Sequence, residues 1–352
     1  MQESTGAQTE AERAEAWEPF EAFAQDCLDR GIWTGGVIAA GTLAGESFRR
    51  AWGWMDTDKA IPMPDNALFD LASVTKAVGT TTALALCMDR GLLDPDAPFT
   101  VYLPDYRGKL IERVSIRDLA RHLSGFPNQK PYDVVGEVMD RILDFSPVRA
   151  PGLPYEYSCG NFILLGLIVE RLLDADLDTI CRREIFGPLG MRDTRWAPLP
   201  DPDPARVVRS AECAVFGLAS DPPARNAQHP TGNAGLFSTV EDLGAFSRMM
   251  IAGGALNGRR VLSEDAVKFL CTWPDSCSPA SFGWRLDPQY NPAGLSPVTL
   301  SHTGWAGNSL WIDMAHQRYV ALLTNRSGNH DAAQHVRREL AARLVHALWA
   351  SQ

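Results

Sequence analysis

Several features that mark whole classes of protein are scarce or missing from this chain. It holds 5 lysines in 352 residues and a formal net charge of −10. Its acidic residues are spread rather than blocked, so there is no basic footprint for nucleic acid or for an anionic membrane surface. No run of 18 apolar residues occurs, and the opening MQESTGAQTEAERAEAWEPF lacks the basic start and apolar stretch of a signal peptide. The expectation is a soluble cytoplasmic protein whose partner is a small molecule, with no nucleic acid and no membrane; the oligomeric state is not readable. Seven cysteines, at 27, 87, 159, 181, 213, 271 and 277, are odd in number, scattered and without a CxxC pair. That pattern suggests neither a disulfide framework nor a zinc site, and most are expected to be small buried hydrophobes. Three catalytic signatures are also missing: GxSxG, HExxH, and GxxxxGK[ST], because the pair Gly108 and Lys109 is followed by Leu110.

What the chain does have is 45% hydrophobic residues, enough for a sizeable core. AEAWEPFEAFAQDCLDRG reads as an amphipathic helix stopped by Gly31, and GGVIAAGTLAGESFRRAWGWM as two strands around a turn. Residues 73–90 predict a helix that is apolar nearly all round and hence buried on most faces. From about 110 to 200 the pattern is helical with Pro and Gly punctuation, and 200–233 is Pro-rich and aperiodic, a long loop bordering a site. STVEDLGAFSRMMIAGG predicts a helix capped by Ser238 or Thr239. TLSHTG, SLWIDM and RYVALLTN predict an antiparallel meander before a closing helix. The order suggests an α+β fold, its sheet built from both ends of the chain. Residues 1–95 and 234–352 would form a discontinuous α/β sandwich, and 96–233 a helical subdomain.

Within DLASVTKAVGTTTALALC, Ser73 and Lys76 are spaced to be neighbours on one helix face. They also fall in the first turn, where unpaired N–H groups and the helix dipole favour an anion. A serine attacking a carbonyl needs a base and donors for the oxyanion, and this spot can supply both. Desolvation by the surrounding Leu, Val, Ala and Thr predicts a lowered pKa for Lys76, toward that of a base. The bland alternative is a snorkelling lysine and a capping serine. With 20 Ser and 5 Lys in the chain, chance placement gives the SxxK spacing ~0.3 times, so alone the motif is a moderate signal.

Four stretches, in order, resemble the motifs of the penicillin-recognising serine hydrolases, the group of class C β-lactamases, D-alanyl-D-alanine carboxypeptidases and family VIII carboxylesterases. FDLASVTKAVGTTTALAL is similar to the SxxK segment, and IRDLARHLSGFP to the loop written LLxHTSGL. PGLPYEYSCGNFILLGLIVERL is similar to the YxN segment, and LSHTGWAGNSLWID to the KTG strand in its HTG form. FGPLGMRDTRW and NAGLFSTVEDLGAFSRMMIAGG are further landmarks, and the resemblance runs from about residue 20 to the end. It implies a β-lactamase-like fold, an antiparallel sheet flanked by the terminal helices plus a helical subdomain. It further implies that Ser73 is acylated, that Lys76 is its general-base partner, and that Tyr157 shuttles a proton to the leaving group. His302 would replace the lysine near that tyrosine, the backbone N–H groups of Ser73 and Trp305 would form the oxyanion hole, and Cys159, Thr303 and Gly304 would contact substrate. No metal or organic cofactor is required.

Two departures sharpen the expectation. Cys159 stands where the family has Asn, or in some members Asp, and a thiol is a poor hydrogen-bond partner for a substrate amide. Asn161 belongs to the following helix pattern and does not substitute for it. His302 is expected to be largely neutral at pH 7, which weakens binding of a carboxylate there. Both lean toward a neutral ester, so the expected activity is a carboxylesterase acting on small or medium acyl esters. The alternatives are a β-lactamase or D-alanyl-D-alanine peptidase-like amidase and, from another class, a catalytically silent binding protein on the same fold. Trp305 and Phe126, near motif segments, fit an apolar acyl pocket or core packing equally well, and Cys159 as a nucleophile in its own right is the weaker reading.

Overall fold

Alternating apolar runs from the two ends of the chain meet in one sheet. The structure, a computed structural model, describes residues 10–152, 154–209, 216–272, 278–326 and 330–350. Helix α1 (Glu10–Asp29) leads to strands β1 (Trp33–Thr42), β2 (Gly45–Gly53) and the short β3 (Phe69–Asp70). Next comes a helix that begins as a π-helical stretch, Lys76–Thr81, and continues as α2 (Thr82–Asp89). The middle of the chain supplies α3 (Ile116–Ala120), α4 (Val138–Arg141), α5 (Cys159–Leu173), α6 (Leu177–Cys181), α7 (Gly187–Leu189), β4 (Arg195–Trp196) and α8 (Pro222–Asn226). Strand β5 (Leu236–Ser238) enters α9 (Val240–Ile251), followed by the hairpin β6 (Ala255–Leu256) and β7 (Arg259–Arg260) and by α10 (Glu264–Leu270). Strands β8 (Thr299–Thr303), β9 (Ser309–Asp313) and β10 (Arg318–Arg326) precede the closing α11 (His330–Trp349).

The main sheet has the order β2-β1-β10-β9-β8 and is antiparallel throughout. Register pairs Val37 with Leu323 and Ile38 with Leu322. Side chains alternate across a strand, so Val37, Ala39, Ala321 and Leu323 join the core beneath α9, with Leu243, Phe246 and Met250. Ile38, Ala40, Val320 and Leu322 join the opposite core, with Phe20 of α1 and Leu340 and Leu344 of α11. Both faces are therefore covered, as expected for a sheet whose central strands are apolar on both sides. Thr239 caps α9 by accepting from Asp242 N at 3.2 Å. Ser115 and Asp118 form a reciprocal capping box on α3.

The helix after Ser73 is buried on all sides, as expected, but its first stretch is wider than an α-helix. The threonine run explains where the ladder loosens: Thr82 Oγ1 donates back to Ala77 O at 3.2 Å, and Thr80 Oγ1 leaves the helix for Gly232 O at 2.8 Å. Hydroxyls that compete for helix carbonyls distort the ladder in this way. Cys27, Cys87, Cys159 and Cys181 are buried and Cys271 is half-buried; Cys213 and Cys277 lie outside the described residues. Burial pushes the thiols of Cys27 and Cys87 up to about 12 and that of Cys271 to about 11, which makes them inert. Among the described residues no helix is long and apolar enough to cross a membrane.

The double covering of the sheet is testable at consecutive positions. Leu322→Ala and Leu323→Ala, on opposite faces of β10, should each lower stability by about 2–5 kcal/mol in urea denaturation. A near-silent result at either one would mean that its face is not packed.

Candidate active site

Ser73 follows a backbone held in an uncommon conformation. Ala72 has φ +47°, a left-handed value that costs an alanine of order 1 kcal/mol. Asp70 stabilises it: one carboxylate oxygen accepts from Ala72 N at 2.9 Å and the other from Ser220 N at 2.7 Å. Burial pushes the Asp70 carboxyl above the usual range, against the pull of those hydrogen bonds. The end of β8 presses against the same turn. A Cβ on Gly304 would stand 2.5 Å from Leu71 O and 3.3 Å from Ala72 Cβ, so only glycine allows that approach. Asn308 donates its side-chain amide to Asp70 O and accepts through its own backbone carbonyl from Gly304 N at 2.8 Å. Gly304 thus positions the Ser73 turn from behind.

Lys76 is 0% exposed and has three acceptors for its ammonium hydrogens. Nζ donates to Ser73 Oγ at 3.1 Å, to Asn233 O at 2.7 Å and to Cys159 Sγ at 3.7 Å. It also lies 5.0 Å from the centroid of the Tyr157 ring. The expectation of a lowered pKa is overturned. Burial alone works against the ammonium, but the facing Cys159, Tyr157 and Asp221 outweigh it and hold Lys76 above the ordinary lysine range. Residues distant in the chain, not the apolar sequence neighbours, set the sign.

Tyr157 leads into α5 and packs on His122, ring centroids 4.5 Å apart. His122 Nδ1 accepts from Ser158 N at 3.2 Å, which requires an unprotonated Nδ1. Burial, then Lys76 and Arg285, hold His122 well below its usual range. The same causes in the same order, with His122 added, hold His302 well below it too. His302 donates Nδ1–H to Thr303 O at 3.1 Å, leaving Nε2 as the basic nitrogen of a neutral ring. Asn161 is turned away, accepting from Ser124 Oγ at 2.8 Å.

A cavity of about 520 Å³ brings together Ser73, Tyr157, Cys159 and Trp305, the last 52% exposed. His302, Thr303 and Gly304 do not line it. Alternation along β8 turns Thr303 to the other face of the sheet from His302, where it lines a separate cavity with Gln289, Tyr290, Gln334, Arg337 and Arg338. Phe126 is absent from the cavity as well: it is fully buried in the core, stacked on Phe145 at 4.9 Å. The cavity is also lined by residues that sequence reasoning missed, Asn128, Lys130, Ser220, Asp221 and Arg225. Asp221 joins them to the centre, accepting from Lys130 Nζ at 3.1 Å and from Asn233 Nδ2 at 2.9 Å. The only signal for Ser220, Asp221 and Arg225 was the aperiodic 200–233 stretch, expected to border a site, and nothing in the sequence marked Asn128 or Lys130. Among the described residues no cluster of His, Cys, Asp and Glu is placed to hold a metal ion.

Ser73 Oγ thus sits on an ammonium, and its backbone N–H donates to no acceptor among the described residues. That geometry suits a hydroxyl that attacks a carbonyl and an amide that receives the resulting oxyanion. The family model described as Beta-lactamase matches residues 21–344. The chain belongs to the β-lactamase family. It is a serine hydrolase of that family, with the family's mixed helix and antiparallel-sheet fold. A relative from Escherichia coli strain K12, provisionally named D-alanyl-D-alanine carboxypeptidase, is 27% identical and matches over 79% of this chain and 75% of its own. Among solved structures, EstCE1, described as a hydrolase with promiscuous acyltransferase activity, superposes with TM-score 0.77 at 19% identity, covering 94% of this chain and 99% of that one. A penicillin-binding protein homologue from Caulobacter crescentus gives TM-score 0.75 at 20% identity, covering 99% of each chain. At these identities the two structures speak for the fold alone.

The neutral histidines make a β-lactamase-family protein that is sensitive to acid. Their native values lie below the 6.5 of an unperturbed imidazole. As pH falls through that value the unfolded chain takes up protons that the native one refuses, so stability is present above about 6.5 and is lost below it. From pH 7.5 to 6 the two together should cost roughly 1.5 kcal/mol. Asp242, pushed up to about 6 by burial, works in the opposite sense and offsets part of the loss. Urea midpoints across this range check it: His302→Asn should remove about half of the histidine contribution, and an unchanged slope would show that His302 is not held neutral.

Proposed function

We propose that this member of the β-lactamase family is a carboxylesterase that hydrolyses small or medium acyl esters through a Ser73 acyl-enzyme. The observation that carries the reading is the contact of Cys159 Sγ with Lys76 Nζ at 3.7 Å beside Ser73. The wall position next to the nucleophile offers a thiol, a weak donor and weak acceptor, where an amide substrate needs a firm hydrogen-bonding partner. An ester has no N–H to satisfy there.

In this reading the Ser73 hydroxyl proton passes to the Tyr157 oxygen, acting as a phenolate paired with the Lys76 ammonium, as Oγ bonds to the ester carbonyl carbon. The oxyanion is received by the backbone N–H groups of Ser73 and Trp305. Collapse breaks the bond to the alcohol oxygen, which leaves with the proton from Tyr157. Water then repeats the sequence on the acyl-enzyme, releasing the acid and restoring Ser73. His302, held neutral with Lys76 among the causes, would add no charge on the leaving-group side. The provisional name of the Escherichia coli relative supports a second reading, an amidase of the D-alanyl-D-alanine carboxypeptidase or β-lactamase kind.

Intact-protein mass spectrometry after fluorophosphonate treatment should show one adduct on the wild type and none on Ser73→Ala. Equal or absent labelling of both would overturn the acyl-enzyme and favour a silent binding protein. Lys76→Ala and Tyr157→Phe should each lower kcat/KM on p-nitrophenyl butyrate by about 10²–10⁴-fold. In parallel assays, faster turnover of a chromogenic cephalosporin than of the butyrate ester by kcat/KM would reverse the ranking of the two enzymatic readings.

A further inference from the structure

The charged side chains that line the cavity with Ser73, namely Lys130, Arg225 and Asp221, carry a net positive charge in a chain that is acidic overall. Asp221 is the only carboxylate among the described residues lining the cavity, and Lys130 and Arg225 line it too. Asp221 is fully engaged: besides Lys130 Nζ at 3.1 Å, it accepts from Asn233 Nδ2 at 2.9 Å and from Ala224 N at 3.1 Å. Lys130 Nζ gives one hydrogen to Asp221, which leaves an ammonium two further donors. Arg225 Nη1 donates to Ala219 O at 2.9 Å and to Ser220 O at 3.1 Å. Nε and Nη2 have no acceptor among the described residues. Arg225 has no carboxylate partner there either. Lys130 keeps its charge: burial works against it, but Asp221 and then Cys159 hold its pKa above the ordinary value.

We infer that the cavity selects an acyl group carrying an anion, a carboxylate at the far end of the chain bound by Lys130 and Arg225. This rests on the Ser73 acyl-enzyme reading, in which the leaving alcohol stays on the Tyr157 side and the acyl chain crosses Cys159 toward the cationic wall. It also moves the recognised charge. A carboxylate beside neutral His302 finds no cation in that ring, whereas one placed across the cavity meets two. A partly desolvated anion between a guanidinium and an ammonium makes charge-assisted hydrogen bonds, stronger than neutral ones. The low-dielectric walls of such a cleft concentrate its positive field despite the net charge of −10.

The test uses 4-nitrophenyl monoesters of the dicarboxylic acids from succinic to suberic, each against its methyl-capped neutral partner. For the chain length that best spans the cavity, the wild type should prefer the free acid by at least tenfold in kcat/KM. The preference should shrink several-fold in 0.5 M NaCl, in Lys130→Gln and in Arg225→Gln. A ratio at or below one across the whole series overturns the inference. A readout that needs no turnover accompanies it: Ser73→Ala should bind monomethyl adipate at least tenfold more tightly than dimethyl adipate by calorimetry, and equal binding overturns the inference as well. The two proposals fail separately. Labelling at Ser73 with no charge preference removes the anion pocket and keeps the acyl-enzyme, while charge-dependent binding without labelling does the reverse.

Discussion

The site is organised around one buried ammonium. Removing the charge of Lys76 from water costs several kcal/mol unless every hydrogen finds a partner, and its three acceptors come from three separate parts of the chain. Ser73 belongs to the same turn, Asn233 to the segment before β5, and Cys159 to the first turn of α5. None of these can move without leaving a hydrogen of Lys76 unmet. The requirement propagates outward. Asn233 is held by Asp221, which is held by Lys130, and the Ser73 turn is held by Asp70 and by the close approach of Gly304. A glycine is also needed at 232, where a Cβ would meet Phe162 O at 2.0 Å; it lets the Asn233 carbonyl pass close to α5.

The same charge decides the state of its neighbours. A cation already buried between Ser73 and Tyr157 penalises a second one nearby, and His122 and His302, themselves buried, are both held neutral with Lys76 among the causes. His122 confirms this by geometry, since its Nδ1 is an acceptor for Ser158 N. The site therefore separates its charges by depth. One cation, Lys76, is buried at the reacting centre, Arg285 acts on both histidines, and Lys130 and Arg225 line the cavity, where solvent lowers the cost of holding them.

Local periodicity made much of this legible in advance. The strands of the sheet alternate, the helix after Ser73 is continuously apolar, and the Ser73 and Lys76 spacing places two side chains on one face; each is a property of adjacent residues. Other features failed for equally physical reasons. The sign of the Lys76 shift depends on Cys159, Tyr157 and Asp221, which are far away in the chain and invisible to a reading of neighbours. Thr303 was assigned to the site with His302, although consecutive residues of a strand face opposite sides. Phe126, which its place in a motif left open to pocket or core, packs in the core. Asp221 and Arg225 come from a Pro-rich stretch without periodicity, where only the fold can say which side chains face inward.

The donors and acceptors on the cavity wall also bear on the choice between ester and amide. An acylamido chain brings an N–H and a second carbonyl into the site, and a buried donor left without an acceptor costs about 1–3 kcal/mol. Two of the acceptors around Lys76 are already in use. Asp221 serves three donors, and the Asn233 carbonyl serves Lys76. Cys159, in contact with Lys76, offers only a thiol, and the other neutral polar side chains lining the cavity besides Ser73 and Tyr157 are Asn128 and Ser220. Lys130 and Arg225, by contrast, have donors to give. A group that must donate finds a weak acceptor at Cys159, whereas one that only accepts meets the spare donors of Lys130 and Arg225. The carboxylate inferred for the substrate and the ester proposed for its reactive bond are therefore two consequences of the same imbalance: neither asks the protein for an acceptor that Lys76 and Asp221 have already used.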